Sequence, residues 1–123
     1  MRRLFLILSL VFTFAALPAQ ASEKAGRFKG ANNHITSGTV TVTDTGDTLI
    51  IKLSSNFSFD GAPDPYVSLA NGKRKPLVNV AVLKKDNGVQ TYRIKKTAEL
   101  SKASHVLIWC KKFAVTLGHA KLN

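Results

Sequence analysis

The 123-residue chain contains a single cysteine, Cys110, so no disulfide can form within it. It also lacks the Gly-x-Ser-x-Gly, Walker A and Gly-x-Gly-x-x-Gly motifs that serve hydrolases and nucleotide-binding enzymes. A Cys-x-x-Cys-His motif is absent, which excludes a covalently attached c-type haem. No paired nucleophile and general base stand out, so the sequence favours a non-enzymatic protein over an enzyme.

Acidic residues are scarce, with seven against 18 lysines and arginines, and the formal net charge is +11. A basic protein is attracted to anionic lipid headgroups, to polyanions and to acidic protein surfaces. A simpler interpretation is that scattered lysines and arginines keep a small domain soluble. Charge alone leaves both interpretations open.

Long apolar runs are confined to the N-terminus. Residues 4–17 follow Arg2 and Arg3 and lead into the small residues around Ala19 and Ala21. This pattern predicts a secretory signal peptide over residues 1–21. The run is shorter than the ~20 residues that span a bilayer. We therefore expect a periplasmic or secreted domain over residues 22–123, with no transmembrane segment. Its formal net charge is two below +11, at +9. Export out of the cytoplasm argues against nucleic acid as a partner.

Alternating β-branched and polar residues dominate the rest of the chain. Turn residues separate the short alternating runs, as in sandwiches and barrels, and one helical turn is predicted within residues 97–104. We predict an all-β, small antiparallel β-sandwich of about seven strands, in which residues 22–25 are a frayed lead-in. The predicted strands are residues 39–43, 48–53, 66–69, 78–83, 89–94, 105–110 and 113–117.

Cys110 ends a predicted strand that is apolar on both faces, which is typical of a central strand. Alternation places Cys110 and Trp109 on opposite faces of that strand. One interpretation is that Cys110 is a small buried hydrophobe. The other is that the adjacent Lys111 and Lys112 lower the pKa of the thiol and favour a reactive, metal-binding thiolate.

The three histidines show no tight metal-ligand spacing, so the sequence predicts no zinc site. Cys110 together with His34 or His119 could ligate a haem iron, because both residue types serve as axial ligands. Otherwise each histidine, His105 included, is an ordinary surface or hydrogen-bonded residue.

Two carboxylates, Asp60 and Asp64, lie four residues apart in a turn with Gly61, Pro63 and Pro65. Aspartates commonly cap such turns through backbone N–H groups. A calcium ion needs six or more oxygen ligands, and few others are visible here. A turn-capping role is therefore the favoured interpretation.

Four segments together resemble one family. They are residues 26–28, 34–40, 56–67 and 106–120, which include Phe-x-x-Asp-Gly-x-Pro-Asp and Trp-Cys-x-x-Phe. In order and spacing these segments are similar to the DM-thirteen domain, also called the electron-transfer DM domain. The resemblance covers nearly all of residues 22–123.

The resemblance implies a small extracytoplasmic β domain in which Cys110 works in redox chemistry. The thiol would act bare or as the ligand of a prosthetic group such as haem. In the redox hypothesis that follows, His34 is the candidate second ligand. The Asp60–Asp64 turn and Trp109 would lie near this site. Because the chain carries this domain alone, its electron partner would be a separate redox or membrane-associated protein. A lone thiol also allows a Cys110-linked dimer.

An alternative function is a redox-silent binding module of the periplasm or cell surface. Such a module would recognise an anionic ligand or partner through basic loops. The residues concerned are Lys73, Arg74, Lys75, Lys84 and Lys85. Added salt would weaken that binding, whereas Cys110→Ser would leave it intact.

Overall fold

The protein is described by a computed structural model that covers residues 9–13 and 21–123. The predicted signal peptide falls for the most part outside these described residues. The described part forms ten strands and a 3-10 helix at Leu100–Lys102. The strands are β1 (Ser22–Gly30), β2 (Thr36–Ser37), β3 (Thr39–Asp44), β4 (Thr48–Leu53), β5 (Ser58–Phe59), β6 (Pro65–Ala70), β7 (Val78–Val82), β8 (Gln90–Lys95), β9 (His105–Cys110) and β10 (Val115–Lys121).

Eight strands form one antiparallel sheet in the order β7-β6-β9-β10-β1-β3-β4-β8, and β2 pairs with β5 in a small ribbon. The large sheet has two halves, one of β7, β6, β9 and β10 and the other of β3, β4 and β8, and β1 joins them. The first six residues of β1 pair with β3, and its last three pair with β10. The halves fold over a shared core, and the edge strands β7 and β8 come close together. The predicted all-β antiparallel class is confirmed, and the eight strands of the large sheet form one nearly closed, barrel-like layer. Ten strands are present where about seven were predicted.

The strand β1 corrects one prediction, because residues 22–25 are not frayed. Ser22 pairs with Asp44 and Ala25 pairs with Thr41 on β3. The chain terminus adds two further bonds: Ala25 N–H donates to Asn123 Oδ1 at 2.9 Å, and Asn123 N–H donates to Ala25 O at 3.1 Å. Phe28 is the one buried side chain of β1, so backbone pairing rather than an apolar pattern defines this strand.

The core is built from alternating inward side chains of both halves. Val40 and Ile51 from one half and Val67 and Ile108 from the other are fully buried in the same cluster. All six residues of β9 are buried, which confirms the prediction of a central strand. The loop after β6 reaches the neighbouring strand β10, where the Thr116 hydroxyl donates to Lys73 O at 2.6 Å. In the described ranges there is no helix with the length and apolarity to cross a membrane.

Candidate functional site

Cys110 lies at the end of β9 and faces the core, with 1% of its surface exposed. Its cross-strand partners are Pro65 on β6 and Val115 on β10. Trp109 belongs to a second apolar cluster on the other side of the strand. The predicted division of this strand into two faces is therefore confirmed, and Cys110 is packed as a small apolar residue.

An exposed turn, residues 111–114, follows Cys110 directly. Lys111 N–H donates to Asp64 O at 3.1 Å, and the Lys111 ammonium lies 5.3 Å from the centre of the Tyr66 ring. Phe113 is 59% exposed within this turn. Cys110 is therefore the last buried residue of its strand and is followed directly by four exposed residues.

His34 is paired with Asp60. Its Nδ1 lies 2.9 Å from Asp60 Oδ1, while Asp60 Oδ2 accepts a hydrogen bond from Ile35 N–H at 3.0 Å. The Ile35 N–H first, and then His34, lower the pKa of Asp60. The imidazole stacks on Phe59 with ring centres 5.9 Å apart. A carboxylate at Nδ1 orients an imidazole and makes Nε2 the nitrogen that can meet a ligand or proton.

The loop of residues 60–65 connects the His34–Asp60 pair with the end of β9. At one end Asp60 holds His34, and at the other Asp64 and Pro65 contact the end of β9. Across residues 21–123, no hydrogen bond or ion pair joins Cys110 to His34, and Trp109 points to the opposite face. The fold thus places the predicted site residues around one loop without assembling them into one ligand set.

The surroundings of Cys110 do not fit a haem. Its sulfur lies in the main apolar core, which is packed with side chains that are themselves fully buried, such as Ile108 and Val67. Protein cores are close-packed, so a macrocycle would have to displace several of these side chains. In the part of the chain that the structure describes, no three His, Cys, Asp or Glu side chains converge as a metal site.

Replacing Asp60 with asparagine should make the free energy of unfolding depend less on pH in the acidic range. Because the folded-state pKa of Asp60 is lowered, ionised Asp60 stabilises the fold at neutral pH. This contribution is lost as pH falls through the lowered pKa. Urea unfolding from pH 7 to pH 2.5 should show the variant less stable at pH 7 and converging with wild type in acid. The exposed Glu99→Gln serves as the charge-matched control. A difference that stays constant across this pH range would contradict the role given to Asp60.

Sequence reasoning missed how the basic residues are distributed. Lys73 joins cations of β1 and β10 around a cleft that also contains His105 and His119, and Arg74 lines two adjacent clefts. Lys84 is engaged elsewhere: its ammonium lies 4.9 Å from the centre of the Tyr92 ring and donates to Thr91 O at 2.9 Å. The signal for this grouping was the alternation of charges along strands, which needs a known register to be interpreted.

The fold and this region define a small all-β domain with one cysteine at the end of a central strand, beside a loop that contains Asp60 and Asp64. A family model described as Electron transfer DM13 matches residues 27–122. The chain belongs to this family, which confirms the resemblance, and its function is therefore related to electron transfer. The searches of curated proteins and of solved structures found no match.

Proposed function

We propose that this protein is an exported electron-transfer accessory domain in which Cys110 is the redox centre and acts as a bare thiol. The observation that carries the proposal is the place of Cys110 within the family match over residues 27–122. The thiol ends a central strand, one residue from an exposed turn. The apolar core leaves room for a thiol but not for a large prosthetic group.

The chemistry requires a brief opening of the strand end. Cys110 is buried in the apolar core, so solvent and a redox partner reach its sulfur only when the strand end opens. When residues 111–114 move, Cys110 meets solvent together with Lys111 and Lys112. The thiol then gives its proton to solvent and one electron to a separate redox protein, and the reverse transfer restores it. His34 and Asp60 act as positioning residues, because they hold the loop that lies over this strand end.

The first test is a visible absorption spectrum and metal analysis of protein purified from its native compartment. We expect a colourless, metal-free protein. A Soret band or stoichiometric iron that is lost in Cys110→Ala would overturn the bare thiol and make Cys110 a ligand instead.

Thiol reactivity provides the second test. Without denaturant, the Cys110 thiol should react with a disulfide reagent at least about tenfold more slowly than in denaturant, because it is reached only through opening. One equivalent of ferricyanide should be consumed by wild type and none by Cys110→Ala, with circular dichroism verifying the fold of each. Equal consumption by both proteins would contradict the role of Cys110.

A further inference from the structure

The outer face of β1, β10 and β9 carries a row of basic side chains. Lys29 on β1 is the cross-strand partner of His119 on β10, and Lys121 on β10 is the partner of His105 on β9. Arg27 precedes Lys29 by two residues and therefore shares its face. Their neighbours Phe28 and Ala120 are buried in the core, which fixes the basic residues on the outside.

The loop of residues 71–75 brings a further cation to this face. Lys73 is held there by its carbonyl, which accepts the Thr116 hydroxyl at 2.6 Å. Burial lowers the pKa of both His105 and His119. The charges of Lys121 and then Lys73 lower the pKa of His105 further, and the charge of Lys73 lowers that of His119. Six side chains therefore surround one cleft of about 290 Å³, which we call the basic cleft. They are Arg27, Lys29, Lys73, His105, His119 and Lys121.

The basic cleft has no acidic counterpart. None of the seven acidic residues, all of which lie within residues 21–123, lines it. The two ion pairs of this part of the chain lie elsewhere, at His34–Asp60 and Lys96–Asp44. Like charges on adjacent positions of a sheet are destabilising. An unbalanced cluster of this kind gains stability when an anion occupies it.

The two imidazoles are placed to donate hydrogen bonds to such an anion. His105 is 9% exposed, and its Nδ1 lies 2.7 Å from the Ser104 hydroxyl, so Nε2 is the nitrogen left for a ligand. His119 is half-buried on the neighbouring strand. The charged groups that face them are Lys29 and Arg27 from β1, Lys121 from β10, and Lys73, Arg74 and Lys75 from the loop. All of these groups are cationic.

We propose that the basic cleft binds a phosphoryl group that carries two or more negative charges. Four cations and two imidazoles converge from three strands and a loop, which suits a tetrahedral, multiply charged oxyanion better than a planar, singly charged carboxylate. A soluble phosphate ester and the headgroup of an anionic lipid share this chemistry. The proposal goes beyond electron transfer and does not require Cys110, which faces the other side of β9.

Proton uptake accompanies this binding. Burial, and after it the surrounding cations, lowers the pKa of both imidazoles in the absence of an anion, whereas a bound dianion would raise it. Affinity should therefore rise as pH falls from 8 to 6. His119→Gln should reduce this dependence, because one of the two titrating groups is removed.

Calorimetric titration with pyrophosphate tests the proposal. Lys73→Gln should weaken binding by about tenfold or more, since a charge-assisted hydrogen bond is lost. Lys52→Gln is the matched control, because Lys52 is also an exposed lysine but lies on β4, outside the basic cleft. The pyrophosphate affinity of Lys52→Gln should stay within about twofold of wild type, because this variant loses only a screened, long-range attraction. Equal weakening by both variants, or a pH dependence unchanged in His119→Gln, would overturn the proposal.

Binding to lipid vesicles shows whether the phosphoryl group belongs to a lipid headgroup or to a soluble ester. Flotation with phosphatidylglycerol vesicles, compared with phosphatidylcholine vesicles, should depend on Lys73 if a lipid headgroup is the ligand. Binding of pyrophosphate alone supports a soluble ester, whereas binding of neither probe overturns the proposal. Cys110→Ala should bind like wild type, so a failure here is distinguishable from a failure of the redox proposal.

Discussion

Replacing Phe57 with alanine should lower the free energy of unfolding by about 3–5 kcal/mol. Phe57 heads the fully buried side chains by volume in the described part of the chain, with 1% of its surface exposed. Its ring meets Phe28 with centres 5.5 Å apart at a tilt of 60°. Removing it deletes apolar contacts and leaves a cavity that a close-packed core cannot fill. Small domains have total stabilities of about 5–15 kcal/mol, so this variant should be partly unfolded at moderate temperature.

Urea unfolding monitored by Trp109 fluorescence measures the effect of this substitution. Phe113→Ala is the matched control, because the same atoms are removed from a side chain that is 59% exposed. We expect that control to change stability by no more than about 0.5 kcal/mol. Similar losses of stability in the two variants would contradict the assignment of Phe57 to the close-packed core.

Gly38→Ala should destabilise the same region by several kcal/mol. Gly38 has a φ of 96°, where an L side chain is strained by about 1–2 kcal/mol. An added Cβ would also lie 2.5 Å from Asn56 O and 2.6 Å from Phe57 Cα, and both atoms belong to backbone. The chain that positions Phe57 would have to shift, so the strain and the lost packing should combine.

Gly46→Ala separates these two causes. Gly46 has a similar φ of 102°, but a Cβ there would meet nothing within 4 Å. The free energy of unfolding of that variant should fall only by the backbone strain of about 1–2 kcal/mol. Thermal unfolding of both variants gives the comparison, and the excess loss in Gly38→Ala measures the close approach to residues 56 and 57. Equal losses would mean that the backbone of residues 56–57 adjusts freely.

The two proposed sites use opposite faces of one strand. β9 directs Cys110 into the core and His105 outward, and these residues occupy its two ends. Five residues of extended chain separate them by about 17 Å. Anion binding and thiol chemistry are therefore expected to be separable by mutation, and each has its own experiment.

Several features could be predicted from the sequence because they are local. Alternation defined β3, β4, β6, β8 and β9 to within a residue or two of their observed ends. It also assigned Cys110 and Trp109 to opposite faces. Side chains on a strand alternate with a period of two whatever the partner strand is, so no tertiary information was needed.

The short strand β5 and the core role of Phe57 were missed, because both lie in a segment that reads as a loop. Phe57 is held by Gly88 N–H, which donates to Phe57 O at 2.9 Å from 31 residues away along the chain. The strand β1 was missed for a related reason, since its pairing with β3 and β10 rather than its own pattern creates it.

The sequence by itself determined the all-β class, the division of β9 into two faces and the family, whereas only the structure decided that Cys110 faces the core. The class, the two faces and the family each depend on neighbouring residues or on motifs read in order along the chain. Only the tertiary structure decided that Asp60 holds His34 and that His105, His119, Lys29 and Lys73 surround one cleft. Those groupings depend on the register between strands distant in sequence, and a shift of one residue would turn every such side chain to the other face.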